Sequence, residues 1–170
     1  MIGRPERSEA ASYYFRYIDL VREDDPVAAL AHQMEDALAL FSGISGEHSL
    51  HRYAPGKWSV REMLAHINDS ERVFAYRALW FARGLETALP SFDQDAAVRG
   101  ASADGVAWAA LIDEFRHVRS ATIDLFQNLP EAAWSRGGIA SDKYVTVRAL
   151  AFLICGHAIH HGRLVQERYL

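Results

Sequence analysis

The chain has 170 residues, of which 50% are hydrophobic and 24% are charged, with a formal net charge of -4. This length suits one domain spanning residues 1–170, and the composition is that of an ordinary globular protein. No basic patch is concentrated enough to follow a phosphate backbone, so nucleic-acid binding is not expected. No apolar run approaches the roughly 20 residues of a membrane-spanning helix, so no membrane partner is expected either.

Cys155 is the single cysteine of the chain. One cysteine excludes an intramolecular disulfide and a cysteine-rich zinc site, and it fits a reducing compartment. The N-terminal residues lack the apolar stretch of a secretory signal. Together these features predict a cytoplasmic protein.

The N-terminal segment, residues 1–24, contains the aromatic piece YYFRYIDLV. This piece is compatible with an extended strand or with a short helix, and in either form we expect it to cover the rest of the fold. The first long helix is predicted over residues 26–44, where apolar residues recur every three or four positions. Asp25 is its candidate N-cap, and Pro26 suits the first helical position.

The second helix is predicted over residues 60–83. Ser59 and Glu62 form the S-x-x-E capping box, in which each side chain accepts a hydrogen bond from a free backbone N–H group. Gly84 is the residue type that commonly ends a helix.

The third and fourth helices are predicted over residues 104–128 and 147–168. Pro130 stops the third helix, because proline cannot continue the hydrogen-bond ladder. Thr146 is the candidate N-cap of the fourth helix.

The remaining segments, residues 85–103 and 130–145, are predicted to be connections, the second with a turn at Gly137-Gly138. Strands are poorly supported, since β-branched alternation is scarce. Four amphipathic helices bury one another best in a bundle, so we predict an all-α four-helix bundle. The connections are far longer than the usual 2–8 residues, which indicates crossovers or functional loops and leaves the helix order open.

His157 and His161 are four residues apart, which places both imidazoles on one face of the fourth helix. Two histidines with this spacing can converge on one metal ion. Both lie on the apolar stripe and should point into the bundle, where an imidazole costs free energy unless it is coordinated or hydrogen-bonded. The alternative is that each imidazole hydrogen-bonds a buried polar partner.

A third ligand must come from another helix, and His66 on the second helix is the candidate. The alternative for His66 is a hydrogen-bonded histidine at a helix interface. His160 is rotated by about 100° from His161, nearer the edge of the stripe, and its role stays open. Four other histidines are expected to be solvated, on helix surfaces or in a loop: His32, His48, His51 and His117.

Three acidic residues are further candidates. Asp69 follows His66 by one turn and is the candidate catalytic residue, as a base or as a group that orients a ligand. Asp93 and Asp95 lie in the long connection and could close over a metal. For each carboxylate the alternative is an ordinary solvated charge.

Small residues surround the histidines of the fourth helix. Cys155 should lie on a different face from His157 and pack as a small residue. Gly156 and Gly162 make room for a substrate or for the close approach of another helix, and the further alternative is that they are incidental.

Two stretches of the chain resemble the sequence motifs of a known protein family. Residues 53–79, YAPGKWSVREMLAHINDSERVFAYRAL, and residues 156–170, GHAIHHGRLVQERYL, resemble the two signature regions of the DinB/YfiT-like superfamily. Residues 92–96, FDQDA, resemble a piece of one branch of it. The combination of W-S-x-x-E-x-L-x-H with a later H-x-x-x-H is much more specific than either half, and the resemblance extends from about residue 26.

The resemblance implies a four-helix bundle with an unusual connection order, often a homodimer. It also implies a divalent metal, zinc, nickel or iron, held by one histidine of the second helix and two of the fourth. These ligands match His66, His157 and His161. Some members of the superfamily are similar to thiol transferases that use bacillithiol or mycothiol, one branch isomerises maleylpyruvate, and others are described as metal-dependent hydrolases.

The sequence therefore predicts a metal-dependent enzyme, thiol transferase-like or hydrolase-like, that acts on a small molecule and has a low-molecular-weight thiol as a possible partner. One alternative is a metal-binding or stress-response protein without turnover. Another is a helical interaction module whose histidines only pack. In each case Phe74, Trp80 and Phe81 are candidates for a dimer face.

Overall fold

The computed structural model describes residues 2–170, and four long helices dominate it. They lie close to the predicted positions, which confirms the helical fold class. A short N-terminal helix, a two-turn helix and a β-hairpin accompany them. The elements are α1 (Phe15–Ile18), α2 (Pro26–Ser42), α3 (Val60–Ala82), α4 (Gln94–Ala101), α5 (Trp108–Gln127), β1 (Gly137–Ala140), β2 (Lys143–Thr146) and α6 (Val147–Arg168).

The packing of the long helices decides the order that the sequence left open. Helix α2 packs against α5 and α6, and α3 packs against the same two helices. Consecutive long helices α2 and α3 therefore lie across a diagonal of the bundle, as do α5 and α6. The chain has to cross the end of the bundle between diagonal partners, which accounts for the length of those connections. None of the helices in residues 2–170 is long and apolar enough to cross a membrane.

Side-chain caps fix three of the four long-helix starts. The Asp25 carboxylate accepts hydrogen bonds from two backbone N–H groups of the first turn of α2. Ser59 and Glu62 form the reciprocal capping box of α3, with distances of 3.0 and 2.8 Å. The Thr146 hydroxyl accepts a hydrogen bond at the start of α6. These starts were predicted because capping depends on local sequence.

The connection predicted over residues 85–103 contains helix α4, so that prediction was wrong in part. Asp93 caps this helix by accepting hydrogen bonds from two backbone N–H groups, each at 3.0 Å. Eight residues make little more than two turns, which is too short for a hydrophobic period to be recognised. Packing against α3 stabilises α4 instead.

Residues 130–145 contain strand β1 and most of β2, and the turn predicted at Gly137-Gly138 was wrong. Both glycines belong to β1, and the turn lies at Ser141 and Asp142, which have positive φ values of 53° and 59°. A Cβ at Gly138 would lie 2.3 Å from the Phe81 ring, so this glycine permits close packing. Strands of four residues are too short for alternation to be seen in the sequence.

The same contact corrects the prediction for the dimer face. Phe81 is almost fully buried in the core, so it cannot contribute to an exposed interface. Phe74 and Trp80 are partly buried against that core.

The N-terminal segment forms short helical turns, and α1 packs on α6. A Cβ added to Gly156 would lie 2.1 Å from the Tyr17 carbonyl oxygen. Gly156 therefore serves the close approach of α1, which decides among the alternatives left open by the sequence. A Cβ at Gly162 would make an ordinary contact, 3.5 Å from a methyl group of Leu40.

A buried ion pair joins three of the long helices. The Arg119 guanidinium of α5 donates two hydrogen bonds of 2.8 Å to the Glu71 carboxylate of α3. It also donates to the Leu30 carbonyl and the Gln33 side chain of α2. Both charged side chains are almost completely buried. Sequence analysis did not identify this pair, since the two residues are far apart in the chain.

Candidate metal centre

Three histidine side chains meet between α3 and α6. His66 Nε2 lies 3.2 Å from His157 Nε2, and His161 Nε2 lies 3.1 Å from the same atom. One ligand nitrogen from each histidine lies within 4.8 Å of the other two. The structure thus brings together the three histidines predicted from the sequence, and we call them the histidine triad. Within residues 2–170 no carboxylate or thiol joins this cluster.

All three imidazoles are buried, which favours their neutral form. Burial lowers the pKa of His66 to about 4 and that of His161 to about 3. Burial also lowers the pKa of His157 well below its usual value, and the neighbouring imidazoles act in the same direction. Neutral imidazole is the form that binds metals, so the triad needs no proton release near neutral pH.

The spacing of the three nitrogens fits a divalent ion. A tetrahedral zinc ion with bonds of about 2.1 Å separates its ligand atoms by roughly 3.4 Å. The two separations around His157 Nε2 are close to that value. A hydrogen-bonded cluster explains these two separations less well. A single imidazole nitrogen either donates or accepts one hydrogen bond, so it cannot form equally good hydrogen bonds to two neighbouring nitrogens. The residues present therefore fit a metal ion held by three histidines with at least one open position.

Aromatic rings enclose the triad. The Trp58 ring lies 4.8 Å from the His66 ring, measured between centroids. The Tyr17 and Phe74 rings lie 5.5 and 5.8 Å from the His157 ring. Sequence analysis gave these residues no role at the site, and for Tyr17 no sequence signal existed, because its contact depends on how α1 folds onto α6.

The outward-facing nitrogens of the triad have few partners. The Ser70 hydroxyl lies 3.4 Å from His66 Nδ1, which is a long hydrogen bond. His161 Nδ1 is buried and has no hydrogen-bond partner among residues 2–170. Partners at this position usually fix the tautomer of a ligand histidine. In this chain the packing of α3 and α6 orients the rings instead.

The candidate acids occupy three different environments. Asp69 is half-exposed and lies 3.5 Å from Arg72, and its pKa is raised chiefly by burial. It has no hydrogen bond to the triad, so a catalytic role for Asp69 stays a prediction. Asp93 is engaged in capping α4. The charge of Asp95 acts to raise the pKa of His66.

The remaining candidate residues lie outside the triad. His160 is half-buried, and its ring centroid lies 5.2 Å from that of Tyr17. Cys155 is buried with its thiol 3.5 Å from the Ala29 carbonyl, and burial raises its pKa to about 12. This confirms Cys155 as a packed residue. Four further histidines are exposed, as expected: His32, His48, His51 and His117.

A cavity of about 190 Å³ adjoins the triad. His157 lines it, together with Phe74 and Arg77 of α3 and Tyr17 of α1. Arg77 was missed by sequence analysis, although a signal existed. It follows His66 by eleven residues, about three helical turns, so both side chains belong to one face of α3.

A sequence model of the DinB superfamily matches residues 29–165. YfiT from Bacillus subtilis, described as a probable metal-dependent hydrolase with an unusual four-helix bundle topology, has a similar structure. The TM-score is 0.68 at 15% identity, over 96% of this chain and 90% of YfiT. A mycothiol-dependent maleylpyruvate isomerase gives a TM-score of 0.70 at 12% identity, over 86% of this chain and 61% of the isomerase.

No curated protein sequence matches the chain. At identities this low, the two structural similarities show a shared fold. The family match extends over most of the chain and includes all three histidines of the triad. The chain therefore belongs to the DinB superfamily.

Proposed function

We propose that the histidine triad binds one divalent metal ion and that the protein is a metal-dependent enzyme acting on a small molecule. The observation that supports this most strongly is the convergence of three buried, neutral imidazoles without a fourth protein ligand in residues 2–170. Catalytic sites commonly keep an open coordination position, whereas structural sites are closed by four protein ligands.

The bound ion would supply Lewis acidity, which lowers the pKa of a coordinated water or thiol. The chain itself would position the ion and exclude water from the site. His66, His157 and His161 would hold the ion without neutralising its charge. Trp58 and Tyr17 restrict solvent on two sides of the triad. The negative charge of Asp95 acts to raise the pKa of His66, and the same charge would favour a bound cation.

Hydrolysis and thiol transfer both remain compatible with this site. The names of the two similar structures support one chemistry each, a probable metal-dependent hydrolase and a mycothiol-dependent isomerase. Zinc, nickel and iron are all compatible with imidazole ligands.

A second candidate is a metal-binding protein without turnover. The unpartnered His161 Nδ1 favours it, since catalytic metal sites usually have hydrogen-bonded outer nitrogens. Both candidate functions require a bound metal ion, and only the enzyme converts a substrate.

Metal content measured by mass spectrometry tests the shared part of both candidates. The protein is purified without an affinity tag or a nickel column, and its His66→Ala, His157→Ala and His161→Ala variants are prepared in the same way. We expect about one metal per chain in the wild type and a clearly lower metal content in each variant, because each variant lacks one of the three ligands.

His160→Ala and His117→Ala are the matched controls, because they remove an imidazole next to the triad and one far from it. Both should retain stoichiometric metal. Equal metal content in the triad variants and the controls would refute the site. Ester and amide hydrolysis, and thiol transfer to an electrophile, are then screened on the metal-loaded protein to separate the enzyme from the binding protein.

We also propose that the protein forms a homodimer. The exposed face of α3 offers Tyr76 and Leu79, with Trp80 close by at 5.8 Å from the Tyr76 ring. A molar mass in solution near 38 kDa, twice the 19.1 kDa of the chain, is the expected result. Light scattering combined with gel filtration measures it, and a mass of one chain would contradict the proposal.

A further inference from the structure

We infer that the cavity beside the triad binds the carboxylate group of a small organic acid and that Arg77 is the residue that binds it. The inference deepens the proposed function, on which it rests for the idea that this cavity receives the substrate. It depends on one juxtaposition: a buried guanidinium without an acidic partner shares a cavity with His157.

Arg77 is buried to a degree that is unusual for an arginine. Its relative exposure is 4%, and its Nη2 donates hydrogen bonds of 2.9 Å to the Pro90 carbonyl and the Ser141 hydroxyl. Both acceptors are neutral. Among residues 2–170 no carboxylate lies within 4.0 Å of the guanidinium.

The other deeply buried arginine shows what this chain does with a purely structural charge. Arg119 has a bidentate carboxylate partner, Glu71, and further acceptors on α2. A guanidinium offers five N–H donors in a planar fork that matches a carboxylate. Arg77 uses its Nη2 for protein acceptors and keeps a positive charge with no carboxylate within 4.0 Å in the described part of the chain, residues 2–170. Burial lowers its pKa, and the opposing contributions come from the Tyr14 hydroxyl group.

The cavity has the size and lining for a small acid with an apolar body. Its volume of about 190 Å³ equals roughly six water molecules at ~30 Å³ each. The lining is aromatic on several sides and carries a few polar groups. The aromatic residues are Tyr13, Tyr14, Tyr17, Phe74 and Phe92.

The position of the cavity connects recognition with the proposed metal. His157 belongs to both the triad and the cavity lining. Along α3, His66, Ser70, Phe74 and Arg77 follow one another on a single face. An acid bound at Arg77 would therefore extend along this face toward the triad. Arg77 would hold the non-reacting end of the substrate and set specificity for a negative charge.

Binding of benzoate and its neutral analogue benzamide tests the inference on the metal-loaded protein. We expect benzoate to bind at least tenfold more tightly than benzamide, because charge-assisted hydrogen bonds are stronger than neutral ones. Arg77→Gln should weaken benzoate by about tenfold to a hundredfold and leave benzamide unchanged. Arg77→Lys keeps the charge but not the planar fork of donors, so its affinity for benzoate should lie between those of the wild type and Arg77→Gln.

Arg163→Gln is the matched control, because Arg163 is an exposed arginine in a groove between α2 and α6, away from the triad's cavity. It should bind benzoate like the wild type. Equal benzoate affinity in Arg77→Gln and Arg163→Gln would overturn the inference.

Loss of folding in Arg77→Gln would not block the test. The side-chain Nε–H signal of Arg77, assigned in the wild type by its absence in Arg77→Lys, should shift and saturate as benzoate is added. A signal that stays in place while benzoate binds would overturn the inference.

A carboxylate could also bind directly to the metal, so the titration is repeated with the His66→Ala/His161→Ala double variant. Arg77-dependent benzoate binding that persists without metal supports the inference even if the metal proposal fails. Benzoate binding that needs the triad but ignores Arg77→Gln overturns the inference and leaves the metal proposal intact.

Discussion

At the scale of single residues, the triad is defined by what burial does to imidazole. The three rings lie where charging them would be costly, and their pKa values are lowered. A folded chain with neutral histidines at neutral pH is ready to bind a cation. The metal-free protein should correspondingly be less stable in acid, because its folded state binds fewer protons than its unfolded state.

The metal-free protein should lose stability as the pH falls from about 6.5 toward 4. The pKa of His66 is about 4 in the folded state and 6.5 ordinarily, so the unfolded chain binds more protons in this range. From pH 7 to pH 5 this histidine alone should lower the free energy of unfolding by roughly 2 kcal/mol. Urea unfolding of chelator-treated protein at the two pH values measures the loss.

His66→Gln provides the comparison, because it keeps a polar side chain and removes the titrating group. The variant should lose less stability than the wild type between the same two pH values. An identical loss in both proteins would contradict the lowered pKa as its source.

At the scale of elements, helix α6 positions both the histidines and the N-terminal segment. One of its faces presents His157 and His161 to α3, and Gly156 lies against the backbone of Tyr17 in α1. The Tyr17 ring then reaches His157. The short helix α1 is thus part of the wall of the site, and a single glycine permits its approach.

Gly156→Ala should destabilise the protein by about 1–3 kcal/mol or more, because the new methyl group would displace the Tyr17 carbonyl. Gly162→Ala, in the same helix, should be neutral or stabilising by up to about 1 kcal/mol, since alanine is the better helix former and has room. Urea unfolding compares the two variants. A penalty of similar size at both positions would show that the approach of α1 is not what requires Gly156.

At the scale of the whole molecule, the bundle is joined through its centre by a buried ion pair. Arg119 of α5 contacts Glu71 of α3 as well as Leu30 and Gln33 of α2. Burying two charges is expensive, and a pair of this kind is tolerated because each guanidinium nitrogen donates to at least one acceptor. We therefore expect the pair to favour this arrangement of the helices over others more than it adds to the free energy of unfolding.

Glu71→Gln should cost about 3–5 kcal/mol in the free energy of unfolding, because Arg119 would keep a buried charge without a partner. The double variant Glu71→Leu/Arg119→Met should recover most of that loss, since it removes both charges and keeps apolar volume. Thermal and urea unfolding of the single and double variants provide the measurement. A double variant less stable than Glu71→Gln would contradict this account.

Local signals explain how much of the molecule could be predicted. The caps at Asp25, Ser59 and Thr146 act within a few residues of chain, so three helix starts could be predicted from the sequence. The spacing of His157 and His161 fixes their common face on any helix. Helix α4 and the hairpin were missed because they are too short to show a period and depend on packing. The division of the chain into a single domain stays a prediction.

The sequence by itself determined the four long helices, the three starts that a side chain caps and the face on which each triad histidine lies, because these follow from helical periodicity and backbone capping. The start of α5 at Trp108, predicted at residue 104, has no side-chain cap. Tertiary structure decided the diagonal order of the helices, the meeting of His66 with His157, the Arg119–Glu71 pair and the cavity containing Arg77. Each of these joins residues far apart in the chain. Such contacts depend on which helix faces pack together, and an amphipathic stripe shows that a face is buried without specifying its partner.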